Sequence, residues 1–584
     1  MTFRLKITKN NGREYAAIVE DVYNKDRKGS SSRTLKTFGD LVKKRQENPN
    51  IDAQIQEEIN TLNSNLVASS TAWTNRYLKS TELSKANTLK KVCYGMAFYR
   101  KLWEQLGLHT WFDRAVRNSR GKIKYDLDLA VFFLTSMRIL APVSKSKSYE
   151  LRHQHIFDFN ELSLDNIYSS LADIAEKKQT IIKNLNAGIK TIYQRVETIA
   201  LYDVTTFYFE SFDRDALRER GMSKENKTNE VQVVLGLLVD NEGIPIDYEL
   251  FKGNTSELKT IIEVVNKYRL ENDLEKVTII ADRGLNSYFN LKELSSLGFD
   301  YIVAQSIDRL SSKIKEQVFD DNWDEISYDE EGNEIFKTKE IEQSTAEGLD
   351  NKIIVTWSSK RQAHDLKVLN ERYLKSKELI EKGVGAVNGS FKHGCRQFIK
   401  LKNRKNKEEY VTNEDLYKKR VKLAGFYALT SSKTGESAKE IYHNLRQLWH
   451  IEECFRVMKT NLETRPVYVW TTAKIKGHFL ICYLALVLER LSYYKVKQHP
   501  IEISNHKLIE LLSESNLAIL DESVCNKTLY MRLGSGASEE LNDKEAKLID
   551  NIFEILNIPP LGTTETAISL RKKFSLSKNI KIIA

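Results

Sequence analysis

The sequence predicts an α/β protein of several domains: a mixed-sheet core, a β-rich insertion that interrupts it, and a helical region on either side. Three observations carry this expectation. Between residues 198 and 305 the chain gives three apolar strand patterns, then helix, strand, helix and strand. From 306 to 425 that alternation stops and hairpin patterns replace it. From 426 to 498 a strand and long helices resume. A chain of 584 residues is also too long to build one core, which suits several domains.

Residues 1–88 read as a small β unit and linker. FRLKIT, EYAAIVEDVY and SSRTLKTFG are its strands, with turns at NNG and the basic KDRKGSS. A polar helix around 51–66 and a Ser/Thr/Asn-rich connector at 68–84 follow. Residues 89–197 read as a helical DNA-binding region, through VCYGMAFYRKLWEQLG, LDLAVFFLTSMRIL and a long segment from Ala172 to Val196. Pro142 interrupts that run. The next stretch clusters Lys145, Lys147, Arg152, His153 and His155, a set that suits DNA phosphates and equally a solvated loop.

The core opens on IALYDVTTFYFE, rich in β-branched and aromatic residues, with Asp203 set inside it. VQVVLGLLVD and IDYELFKG are joined through the tight-turn sequence NEGIP. A helix near 256–270, the strand KVTIIADRG ending at Asp282, the helix SYFNLKELSSLG and the strand DYIVAQ complete it. Three strands, then helix, strand, helix and strand, is the order of an RNase H-like mixed sheet, in which the first and fourth strands are neighbours. In the insertion, EISYDEEGNEIFK is a hairpin turning at Glu331-Gly332-Asn333. DNKIIVTWSSK, FKHGCRQFIKL and NKEEYVTN are further strands, and 361–381 a charged helix. FYALTSS returns to the core. Residues 499–584 read as a helical region whose amphipathic AKLIDNIFEILN suits packing on the core or on a second protomer.

The composition bounds the function. Lys plus Arg is 90 against 80 acidic residues, a net charge of +10 read as modest and spread out, which permits a nucleic-acid partner. Five isolated cysteines form no CxxC pair or disulfide framework, which fits a reducing cytosol. The N-terminus lacks a signal-peptide core, and FLICYLALVL is half the length of a membrane span, so the expectation is a soluble, cytoplasmic protein without a membrane partner. His478 beside that run reads as a satisfied core histidine. No G-x-x-x-x-G-K-[ST] loop, dinucleotide fingerprint or G-x-S-x-G elbow appears, so no nucleotide cofactor is expected. His393 and Cys395 lack two further partners for zinc, and Asp320, Asp321, Asp324 and Glu325 read as a solvated turn.

Three carboxylates remain. Along LRQLWHIEECFRVMKTNLETRP, read as one helix, Leu445, Leu448, Phe455 and Leu462 form an apolar stripe, with Glu452 and Lys459 on or beside it. Taken alone, Glu452 and Lys459 are an i,i+7 pair at the stripe's edge, and Asp282 is a turn cap. Asp203, amid apolar neighbours, is harder to explain that way. In an RNase H-like sheet Asp203 and Asp282 sit side by side, where two like charges need a cation between them. Two Mg²⁺ or Mn²⁺ ions would satisfy a set completed by Glu452, because hard oxygen ligands suit these metals and not zinc.

YDVTTFYFE, VVLGLLVDNEGIPIDYELFKGNTSE, IIADRG and WHIEECFRVMKTNLETRPVY together resemble the DDE transposases of insertion sequences, in the bacterial subgroup whose RNase H-like core is split by a β-strand insertion. The likeness covers about residues 90–490, and W-x-I-E-x-x-F-R-x-x-K is its most specific motif. It implies that Asp203, Asp282 and Glu452 hold two divalent metal ions and that Lys459 contacts phosphate near the cleaved DNA end. Arg456 and Arg465, with Lys145, Lys147 and Arg152, are the other expected DNA contacts. It further implies a nucleoid-associated enzyme, dimeric on DNA, that binds terminal inverted repeats, cleaves each end and joins the 3′-OH groups to target DNA. One departure is visible: the full Y-R-E-K signature has Tyr and Arg where this chain has Leu445 and Leu448, and Tyr442 and Arg446 point elsewhere on an ideal helix. Two other readings stand beside it, a nuclease of the same fold that cuts without joining and an inactive DNA-binding repressor.

Overall fold

A computed structural model describes residues 3–583, apart from 63–89, 222–229, 521–527, 533–542 and shorter breaks at 11–12, 25–28, 196–197, 211–212, 272–273, 275, 345–348, 390–392, 405–406, 466, 563 and 578–579. The Ser/Thr/Asn-rich connector therefore lies outside the described residues.

The strands of the central sheet are numbered β1–β9 and the helices that frame it α1–α9. Before the sheet come α1 (Leu127–Leu140), all of whose residues are buried, and α2 (Lys145–Leu151). The sheet opens with β1 (Ile199–Tyr208), β2 (Gln232–Val239) and β3 (Pro245–Lys252), an antiparallel meander. Then α3 (Glu257–Glu271) leads to β4 (Thr278–Ala281), which pairs parallel with β1. Next, α4 (Tyr288–Ser296) leads to β5 (Asp300–Gln305), parallel to β4. These five strands stand in the order 3-2-1-4-5, the expected RNase H-like arrangement. Residues of β2 are buried throughout, and β4 is four apolar or small residues buried on both faces, which is how covered strands read.

Among the described residues the insertion keeps only one two-stranded hairpin apart from the core sheet. Its strands β6 (Glu325–Tyr328), β7 (Glu334–Ser344) and β8 (Asp350–Ser358) continue the core sheet through β9 (Phe426–Ser431), giving nine strands in the order β6-β7-β8-β9-β5-β4-β1-β2-β3. β8 pairs with β9 from Lys352↔Ser431 to Trp357↔Phe426. Ile353, Ile354 and Val355 are each 0 % exposed, so β8 has apolar groups for both faces and fits an interior place, not an edge. Between β8 and β9 the chain leaves the sheet as α5 (Ser359–Glu381), a hairpin of Ile399–Arg404 with Lys407–Thr412, and α6 (Glu414–Leu423).

After β9 come α7 (Ala438–Arg446), α8 (Trp449–Arg456) and the long buried α9 (Thr472–Lys497). The region beyond 499 adds short strands to its helices: Asn516–Leu520, Leu529–Arg532 and Thr564–Thr566 form a four-stranded sheet with Lys91–Cys93. The helix Asp543–Glu554 packs on the core, with Phe553 5.5 Å from the Tyr94 ring and 5.8 Å from Phe98. At the other end, Phe3–Asn10, Arg13–Asn24 and Gly29–Asp40 form the expected three-stranded sheet, which has a separate small core. Among the described residues no single helix is long and apolar enough to cross a membrane.

Candidate active site

Asp203 and Asp282 are brought together by the parallel pairing of β1 and β4. The register runs Ile199↔Thr278, Ala200↔Ile279, Leu201↔Ile280, so two further residues put Asp203 level with Asp282 on the neighbouring strand. Adjacent strands lie about 4.8 Å apart, close enough for two carboxylates to repel unless a cation sits between them. Asp203 is half-buried and accepts from the Val204 amide at 2.7 Å. Asp282 is exposed just past the end of β4 and caps the turn that follows, accepting from Gly284 N at 2.7 Å. The turn-cap reading is thus satisfied by one oxygen, and the carboxylate still faces solvent.

Glu452 is carried by α8, a helix that flanks the same sheet. α8 packs across β1 and β2, and the β2–β3 turn anchors it. In that turn Asp240, fully buried, accepts from Ile244 N at 2.8 Å and from Glu242 N at 3.0 Å, and pairs with Arg195 at 2.9 Å. The turn presents Gly243, at φ +77°, whose carbonyl accepts from Arg490 Nε of α9 at 3.2 Å and from Cys454 Sγ of α8 at 3.4 Å. His450, Ile451, Cys454 and Phe455 form the buried face. Glu452 lies off that face, exposed, and among the described residues no hydrogen bond or ion pair engages its side chain. Glu453 is instead tied to Arg456, at 2.6 and 2.7 Å.

The single-helix reading of this motif is corrected. The chain turns between α7 and α8 through tight bonds from Leu448 N to Leu445 O, His450 N to Gln447 O and Ile451 N to Leu448 O. After Arg456 the helix widens into a π turn, Val457–Asn461, closed by Leu462 N to Val457 O at 2.9 Å. Glu452 is therefore not on a continuous buried stripe, and Lys459 is not simply two α-turns beyond it. The π turn sets Lys459 half-buried with its ammonium 5.9 Å from the Phe207 ring of β1. Tyr442, on α7, packs 5.2 Å from Phe336, and Arg446 is exposed.

A buried clamp holds the turn behind Lys459. Arg138 of α1 donates to Leu462 O and Glu463 O at 3.3 and 3.4 Å, and His478 Nε2 lies 2.9 Å from Thr464 O. A carbonyl only accepts, so His478 carries its proton on Nε2, and its Nδ1 accepts from Lys145 Nζ at 3.0 Å. Lys145 is 7 % exposed, and burial, then Arg138, pull its pKa down to about 7. This corrects the expected basic patch: Lys145 and His155 are buried and cannot lie on phosphate. Lys147 is exposed but paired with Glu150 at 2.9 Å, and Arg152 donates to Tyr149 O at 2.8 Å with its guanidinium 4.0 Å over that ring. Arg465 is half-buried, 5.3 Å from the Tyr208 ring.

Other residues at this edge gave no sequence signal of their own. Arg283 follows Asp282 and lines a cleft with Gln305, Asp308, Arg420 and Tyr427. Asp308 is bridged at 2.9 Å by both Lys419 and Arg420 of α6, and Arg361 of α5 lies 4.6 Å from the Tyr427 ring. Burial raises the Tyr427 hydroxyl's pKa against the pull of Arg283 and Arg361, with Asp282 also felt. The charge excess is not spread out either. Residues 359–424, the excursion between β8 and β9, hold 18 Lys and Arg against 8 Asp and Glu, an excess equal to that of the whole chain.

Among the described residues no three His, Cys, Asp or Glu side chains are gathered at metal-holding distance. The two aspartates are level, whereas the glutamate stands on the flanking helix without closing on them. The donor set itself is all carboxylate oxygen, of the kind that suits hard divalent cations.

The solved structures that resemble the chain include a piggyBac transposase synaptic complex with hairpin DNA, at 10% identity and a TM-score of 0.34 over 79% of this chain and 85% of that one. They also include a Mos1 transposase paired-end complex with the left transposon end, at 14% identity and a TM-score of 0.14 over 29% of this chain and 56% of that one. Likeness of that degree decides nothing here. None of the curated proteins matches. The decisive match is to the family described as transposase DDE domain, over residues 194–488, which runs from just before β1 into α9 and takes in all three carboxylates. The chain belongs to the DDE-domain transposase family.

Proposed function

We propose that Asp203, Asp282 and Glu452 are the metal-holding carboxylates of this transposase, that they take two Mg²⁺ or Mn²⁺ ions, and that the substrate is double-stranded DNA. The observation that carries the reading is the register that sets Asp203 level with Asp282 on parallel neighbouring strands. Glu452 completes the set by reorienting from its exposed place on α8, where no partner among the described residues holds it back. Transposases of this family use divalent metal ions; when bound, such ions supply Lewis acidity at phosphorus and lower the pKa of the attacking water or hydroxyl. The chain's own residues bind and orient. Lys459, set by the π turn, and Arg465, set against Tyr208, meet the phosphates flanking the scissile bond, while Arg283 stands beside Asp282.

The reaction is hydrolysis at each terminal inverted repeat, followed by attack of the freed 3′-OH on target DNA. Both are in-line displacements at phosphorus that one site can serve. Pairing two ends calls for two protomers on DNA. Asp282→Ala is expected to abolish cleavage of a labelled end while its binding persists, and the parent chain with Mg²⁺ inserts that end into a supercoiled plasmid. Unchanged cutting by Asp282→Ala defeats the site, and cutting without any joined product makes the protein a nuclease.

A further inference from the structure

Just after the π turn, two aromatic rings stand out in solvent. Burial alternates along this stretch: Val467 and Val469 are each 3% exposed, Tyr468 is 60% and Trp470 55%. Period-two alternation puts both rings on one side of the segment. The valines between them are buried, so the apolar anchoring of this stretch is complete without the rings. A cation stands beside one of them. Arg218, fixed by Asp215 at 2.8 Å, has its guanidinium 6.0 Å from the Trp470 ring and 5.7 Å from Phe209. Arg218 is 7 % exposed, and its Nη1 is buried with no hydrogen-bond partner among the described residues. Arg465 lies 5.3 Å from Tyr208. Tyr208 ends β1, five residues beyond Asp203, and Phe209 follows it. At a strand rise near 3.3 Å per residue that is about 17 Å from the carboxylates. On DNA it corresponds to roughly five nucleotides.

Resting on the DNA reading above, we propose that Tyr468 and Trp470 form a stacking platform for unpaired nucleobases of the strand held at the carboxylates, with Arg218 as the cation beside it. Base stacking needs a π face with a cation near it and tolerates any sequence.

The full chain carrying Asp282→Ala is titrated with two probes, a fully paired duplex and the same duplex with a short oligo-dT overhang holding one 2-aminopurine. The overhang probe is expected to bind more tightly and its aminopurine emission to change. Combining Tyr468→Ala with Trp470→Ala removes the emission change and weakens overhang binding roughly ten-fold per ring, leaving the duplex as before. Tyr468→Phe with Trp470→Phe retains both signals. Equal loss on both probes, or an emission change that survives the alanine pair, overturns the platform. So does self-association of the parent that the alanine pair abolishes, because the rings then cover a second copy. Binding to neither probe by the parent overturns the DNA reading together with the platform, whereas duplex binding without an emission change overturns the platform alone.

Discussion

At the scale of single residues, Gly243 has little freedom to change. A Cβ there would stand 2.8 Å from Arg490 Nη2 and 2.9 Å from His450 Nδ1, at a backbone angle of +77° that side-chain-bearing residues rarely adopt. Gly243→Ala is expected to cost roughly 1–3 kcal/mol, read as a lower urea midpoint. It should also lower cleavage, because this turn seats the helix that carries Glu452. The buried histidines set an acid limit. Burial holds His155 down to about 4, and burial with Arg490 does the same for His450, against an ordinary 6.5. Between those values the unfolded chain binds a proton at each site that the folded chain refuses. Stability therefore falls as pH drops from 6.5 toward 4. Thermal midpoints across that range should flatten in His155→Gln and His450→Gln, and an unchanged slope counts against the assignment.

At the scale of elements, the β2–β3 hairpin and the π turn do most to position the candidate site. The hairpin depends on the Arg195–Asp240 pair, whose side chains are 2% and 0% exposed. Arg195 also donates to Asn186 Oδ1 at 2.8 Å and to Pro245 O at 3.2 Å. Arg195→Met leaves Asp240 buried without its ion partner, where burial already raises its pKa, and is expected to cost about 3–5 kcal/mol in denaturant unfolding. Replacing both partners with apolar residues should recover part of that loss. The π turn is held from behind by Arg138, Lys145 and His478, which gives α1 and α2 a part in placing Lys459 without touching it.

At the scale of the molecule, charge is partitioned. With an excess of ten in residues 359–424, the remainder of the chain is balanced. That excursion leaves the sheet between β8 and β9, and its root, Arg361 and Arg420, stands at the cleft beside Asp282. Lys367, Lys375, Lys382 and Lys418 are exposed, and changing all four to Gln should make duplex binding less salt-dependent. The log–log slope should fall by up to about 0.9 for each phosphate that is no longer neutralised. Fluorescence anisotropy over a salt series measures it. A slope equal to the parent's would move the phosphate grip elsewhere.

Much of this protein is determined by local pattern. β-branched runs around Asp203, an apolar strand ending at Asp282 and the NEGIP turn are short-range signals, and the order of elements then leaves few ways to build the sheet. Tertiary packing decided what local pattern does not encode. It made Lys145 a buried donor to His478 in place of a phosphate contact, because a lysine reads the same on a loop and under a helix. It broke the Glu452 helix twice, because ideal periodicity assumes one uninterrupted cylinder. It also joined the insertion's strands to the core sheet, since strand pairing depends on which edge is free in space and not on what lies next in the chain.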